Sequence, residues 1–151
     1  MACATPIVMN RCRLAVARLG EVFRLASLSV EEVPLPYGIH GSCRANGQIQ
    51  IEELLDTRTK VLVLAHEVCH FAAHFGNEVP NDDCEFQAEA TSAVIGAMFG
   101  IASPGASDYI LLWRGNAEKL RGELQIIHTL VKKVMAFLKV EELLTETREA
   151  A

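Results

Sequence analysis

Val61–Phe75 reads VLVLAHEVCHFAAHF, and inside it His66-Glu67-Val68-Cys69-His70 spells H-E-x-x-H within a run apolar enough for a buried helix. At about 100° per residue, positions four apart lie about 40° apart round a helix and one turn apart along it. The imidazoles of His66 and His70 can therefore reach one ion from the same face, with Glu67 on the flank of the same cleft. Zinc suits this set. A catalytic zinc takes three protein ligands and keeps a position for water, which a neighbouring glutamate can hold and deprotonate. Because so short a motif also arises by chance, its surroundings have to carry the reading.

Such a helix needs a third ligand from elsewhere. Asn81-Asp82-Asp83-Cys84-Glu85 has the form of a helix start, with Asp82 as N-cap and Glu85 completing a capping box. From there EFQAEATSAVIGAMFG runs to Gly100, with Phe86, Ala90, Ala93, Val94, Ala97 and Ile101 as the predicted apolar face. Glu85, Glu89, Ser92 and Gly96 form another stripe, a carboxylate for the metal followed by small residues where a second helix can approach closely. Glu89, far enough beyond His70 for a helix end, a loop and a return, is the expected third ligand, with Glu85 the alternative. His74 continues the histidine spacing, but ligands at i, i+4 and i+8 would span about 12 Å of helix axis. It is expected beside the site, at the mouth of the cleft.

A length of 151 residues is enough for one domain with a real core, and half the residues are hydrophobic. No apolar run reaches the ~18 to 20 residues that span a membrane. The opening MACATPIVMNRCR lacks the pattern of a signal peptide. Five cysteines in no C-x-x-C pattern point to free thiols in a reducing, cytoplasmic compartment, with Cys69 read as packing. A net charge of −5 argues against nucleic acid as the main partner.

Thr5-Pro6 opens a predicted packing helix, with Leu14, Leu19, Val22 and Phe23 at helical spacing. Residues 27–38, with Pro34 and Pro36, read as an extended edge segment and turn. Asn46-Gly47 is a type I′ hairpin signal between IHGSCRA and QIQIE, with Ile49 and Ile51 on one side. A hairpin placed before the metal helix leaves an edge strand along the cleft, where an extended peptide could add as a further strand, or simply covers the core. His40 lies in that hairpin and reads as structural. Asp56 caps the metal helix and Gly76 ends it. After Ser103-Pro104-Gly105 a short helix runs through Trp113. In the last helix Leu120, Leu124, Ile127, Val131, Val134 and Leu138 form a seam that packs on the domain or on a second copy of the chain.

HEVCHFAAHF followed by EFQAEATSAVIGAMFGI resembles the ImmA/IrrE metallopeptidase family and, equally, the zincin-type C-terminal domain of ArdC antirestriction proteins. Those families carry an HELxH-type helix, often with a further histidine as at His74. An acidic helix follows, whose glutamate precedes small residues, as Glu89-Ala90-Thr91-Ser92 does. SDYILLWRGNAEKL is similar to the ArdC segment in which Tyr-Ile and a Trp precede a final helix. The resemblance covers about residues 37–138 of a single domain spanning 1–151. It departs at Val68-Cys69, which replaces Leu-Gly or Leu-Ala without touching the ligands. The single-stranded-DNA-binding domain of ArdC proteins and the helix-turn-helix of many ImmA relatives have no counterpart in the reading, so DNA binding and target identity do not carry over.

The resemblance implies a small zincin-like α+β domain, a short antiparallel sheet on a helical bundle. It implies a zinc-dependent peptidase acting on a protein or peptide substrate, with Glu67 as general base and Tyr109 brought near the cleft as oxyanion stabiliser. The alternative is a metal-binding antirestriction or regulatory protein with little or no peptidase activity.

Overall fold

The strand Gln48–Glu52 alternates in burial as its sequence does: Ile49 and Ile51 are buried, while Gln48, Gln50 and Glu52 are half-buried. It is the middle strand of a three-stranded sheet. With Ser29–Val33 as β1, Gly41–Cys43 as β2 and Gln48–Glu52 as β3, the order is β1-β3-β2. This computed structural model describes residues 28–76, 81–102 and 117–137. The expected helix from Thr5, the short helix through Trp113, Tyr109 and the tail from Val140 lie outside the described residues.

β2 and β3 form the expected antiparallel hairpin, pairing Gly41 with Ile51 and Cys43 with Ile49. Its turn is not a two-residue type I′ loop. Gly47 N–H donates to Arg44 C=O and Arg44 N–H to Gln48 C=O, each at 2.9 Å, so Ala45 and Asn46 are the central residues. Gly47 follows at φ 82°, the three-residue loop in which glycine closes the bulge.

The sheet is mixed, not antiparallel as expected, because β1 runs parallel to β3, with Val30 opposite Ile49. The connection 34–40 explains this. It turns at Pro36–Ile39, where Ile39 N–H donates to Pro36 C=O and Gly38 takes φ 84°. Glu52 Oε2 accepts from Leu35 N–H at 2.6 Å and anchors the same connection to the end of β3. β1 and β2 are thus held one strand apart, and β3, with its two buried isoleucines, fills the gap.

Thr57–Cys69 (α1) begins as expected. Asp56 Oδ1 accepts from Arg58 N–H and Thr59 N–H, and its Oδ2 from the Thr59 hydroxyl at 2.6 Å. The helix continues through a wider turn, His70–His74, closed by Phe75 N–H donating to His70 C=O, and ends at Gly76 with φ 82°. Lys60 and Glu32, 2.6 Å apart, tie its first turn to β1.

Asn81–Met98 (α2) starts before the expected cap: Asp82 and Asp83 sit inside its first turn, where their charges favour the positive helix end. It closes at Gly100, φ 71°, with Ile101 N–H donating to Gly96 C=O and Gly100 N–H to Ala97 C=O. The predicted apolar face is only partly right. Phe86 and Ile101 are buried, Ala90 and Ala93 are half-buried, and Val94 and Ala97 are exposed. The buried stripe is instead Ala88, Thr91, Ile95 and Phe99. Apolar residues lie nearly all round this helix, so periodicity does not choose a face; packing between α1 and the last helix, Ala117–Phe137 (α3), does.

Among the described residues α1 and α2 form the most extensive contact between elements. Gly96 lies in it against Leu62, whose Cδ2 a Cβ at that position would displace. In the core, Leu64, Ala65 and Val68 of α1 meet Ile95 and Phe99 of α2 and Ile49 of β3. α3 contributes Ile127, Leu130, Val131 and Val134, while Leu124, expected in its seam, is exposed. The described part is α+β, and no helix among the described residues is long and apolar enough to cross a membrane.

Candidate metal centre

The face of α1 turned away from the core looks into a cleft of about 1040 Å³, walled by β2 and the loop before it and by the first turns of α2. His66 and His70, one turn apart, place their Nε2 atoms 3.0 Å from each other. Glu85 closes the group: its Oε2 lies 3.3 Å from His66 Nε2 and its Oε1 3.4 Å from His70 Nε2. Among the described residues His66, His70 and Glu85 are the set whose donor atoms converge closely enough for one ion. Donors held tetrahedrally at about 2.0–2.1 Å from zinc stand about 3.3 Å apart; the imidazole pair is close to that spacing, and Glu85 offers a different oxygen at a similar distance to each ring.

Glu89, the ligand expected from helix spacing, lies one turn further along α2. Its Oε2 is 3.4 Å from His66 Nδ1, on the opposite edge of the ring from the convergence point. His74 is also turned away from that point. Its Nδ1 is 3.0 Å from His70 Nδ1, and its Nε2 is 3.1 Å from Gln87 Oε1. Gln87 Nε2 in turn donates to Glu123 Oε2 of α3 at 2.9 Å. Gln87 and Glu123 were invisible to sequence reasoning, because nothing local signals a contact between residues on different helices.

Glu67 is buried on the flank of α1 that meets β2, and Gly41 is what lets the strand come so close. A Cβ on Gly41 would stand 2.8 Å from Glu67 Oε1. Burial pushes the Glu67 carboxyl up to about 7, with the His66 charge opposing and Glu85 adding to the rise. For His66, burial opposes the charged form, but Glu89, Glu67 and Glu85 outweigh it and raise the imidazole. His70 goes the other way, down to about 4, through burial and then the charge of His66. His74 is lowered too, mainly by burial.

His40 lines the outer cleft, exposed, with its carbonyl accepting from Glu52 N–H. Cys43, Cys69 and Cys84 are free thiols. Cys69 is fully buried in the core, where it packs against Thr91, whose hydroxyl makes no hydrogen bond of ordinary geometry. Cys43 borders the cleft, its thiol pushed up to about 12 by burial and then by the Glu67 charge. Tyr109 lies outside the described residues. Comparison with protein families, with curated proteins and with solved structures finds no match to this chain.

Proposed function

We propose that this chain is a zinc-dependent peptidase whose metal is held by His66, His70 and Glu85, with Glu67 as general base. The observation that carries the reading is the convergence of two imidazole Nε2 atoms and a carboxylate beside a buried glutamate that is no part of the convergence. A purely structural metal site has no use for that fourth group. Zinc bound there supplies a Lewis acid that polarises a carbonyl and makes water more acidic.

Glu67 takes the proton of the attacking water and passes it to the leaving amine. Its burial suits the task, since a carboxyl near neutrality can both accept and return a proton. Glu89 orients His66 by accepting from its Nδ1 side. Tyr109 is retained from the resemblance as the group that stabilises the oxyanion. The substrate class is an extended peptide: β2 is an outer strand beside the cleft, and nothing among the described residues pairs with its free edge.

Metal analysis of protein purified without added zinc, run beside cleavage of a candidate partner, tests the reading. About one zinc per chain is expected, lost in His66→Ala and His70→Ala. Glu67→Gln keeps the zinc and loses cleavage, because an amide accepts no proton. Zinc at the wild-type level in His70→Ala would sink the site. A cellular effect that survives intact in Glu67→Gln would make the chain a metal-binding interaction protein instead.

A further inference from the structure

A line of hydrogen bonds leaves the cleft from the back of His70 and reaches α2 and then α3. His70 Nδ1 meets His74 Nδ1 at 3.0 Å, His74 Nε2 meets Gln87 Oε1 at 3.1 Å, and Gln87 Nε2 meets Glu123 Oε2 at 2.9 Å. The direction of every bond follows from its far end. A carboxylate only accepts, so Gln87 turns its nitrogen to Glu123 and its oxygen to His74. That oxygen also only accepts, so His74 carries its proton on Nε2. The Nδ1 of a neutral imidazole protonated there is bare and can only accept. His70 must then donate from Nδ1, which leaves a lone pair on Nε2, the atom 3.0 Å from His66 Nε2 and 3.4 Å from Glu85.

We propose that Glu123, Gln87 and His74 are positioning residues that set the tautomer and orientation of His70, presenting its Nε2 to a metal. The inference rests on the metal centre proposed above. It also gives the two histidines different supports. His66 has a carboxylate directly on its Nδ1 side, whereas His70 reaches its carboxylate only through an imidazole and an amide. The ring nitrogen away from a ligand atom usually has such support, and here the carboxylate at the end of the line lies on α3.

The sign of the relay can be reversed at one residue. Glu123→Gln still offers an oxygen to Gln87. Glu123→Lys offers only donors, so the Gln87 amide turns over, each bond reverses, and the proton of His70 moves to Nε2. Nitrogen NMR of histidine-labelled, metal-free protein reads these states without zinc. Wild type should show His70 protonated on Nδ1 and His74 on Nε2; a proton on His70 Nε2 overturns the relay. Zinc competition titration should then show Glu123→Gln unchanged and Glu123→Lys weakened about 10- to 100-fold, the range for groups that stand behind metal ligands. Equal affinity in the two variants overturns the proposal, as does a loss in Glu123→Lys with its tautomers unchanged, which would be structural damage. His66→Ala separates the two layers of argument: if wild type binds zinc no better than that variant, the metal centre fails while the spectra still judge the relay.

Discussion

The two long faces of α1 are built on opposite principles. On one, Val61, Leu64, Ala65 and Val68 are packed dry, none more than 3% exposed. On the other, His66, His70 and His74 stand side by side, ring nitrogens 3.0 Å apart, at the wall of an open cleft. The first face gains free energy by leaving water. The second gathers polar groups whose mutual satisfaction depends on partners from α2 and α3. A single helix can carry both because its residues project by angle and not by order.

Leu64→Ala probes the dry face and should produce the largest change in stability, about 2–5 kcal/mol by denaturant unfolding of metal-free protein. The zinc affinity of the folded fraction should not move. Were it to fall as far as in a ligand variant, the faces would not be separable and the core would be setting the ligand geometry directly.

The next contrast lies within the cleft face, between the two carboxylates of α2. Glu85→Ala removes a converging donor and should cost more zinc affinity than Glu89→Ala, which should cost about 10- to 100-fold as a group behind His66. Chelator competition on both variants ranks them. The opposite order would put Glu89 on the metal, as helix spacing alone expects, with Glu85 behind it.

The smallest effect belongs to the N-terminus of α1, which serves neither face. The Asp56 carboxyl is held below its ordinary range, chiefly by the Thr59 hydroxyl, with burial opposing and the Thr59 and Arg58 N–H groups adding to the drop. A lowered folded pKa means that the stabilisation is full above the unfolded aspartate value and is lost as pH falls through the folded one. Asp56→Ala should therefore cost about 1 kcal/mol near neutrality. That difference should shrink when melts are repeated below about pH 4, where the unfolded aspartate titrates. Zinc binding should be untouched throughout, and a coupled loss would show that the helix start reaches the site.

Much of this was legible in the sequence wherever one element decides the outcome. His66 and His70 share a face because four residues make one turn, and no neighbour is needed to make that true. Asp56 and Gly76 bound the helix through bonds and backbone angles within a few residues of themselves. Asn46-Gly47 announced a hairpin, although the loop took one residue more than the motif implies. The seam of α3 was readable at Ile127, Val131 and Val134 because that helix is polar on its far side.

The tertiary structure decided what two elements settle between them. Glu85 and Glu89 lie on one face of α2, and no periodicity tells which meets the Nε2 atoms of α1. The crossing of the helices chooses, with Gly96 seated against Leu62 where they meet. The parallel pairing of β1 depended on where the chain turned at Pro36–Ile39, a matter of path. The line from His70 through Gln87 to Glu123 joins residues 53 positions apart, brought together only by the packing of three helices. A helical period is set by backbone geometry that every residue shares, whereas a meeting of side chains from separate helices depends on all the packing between them.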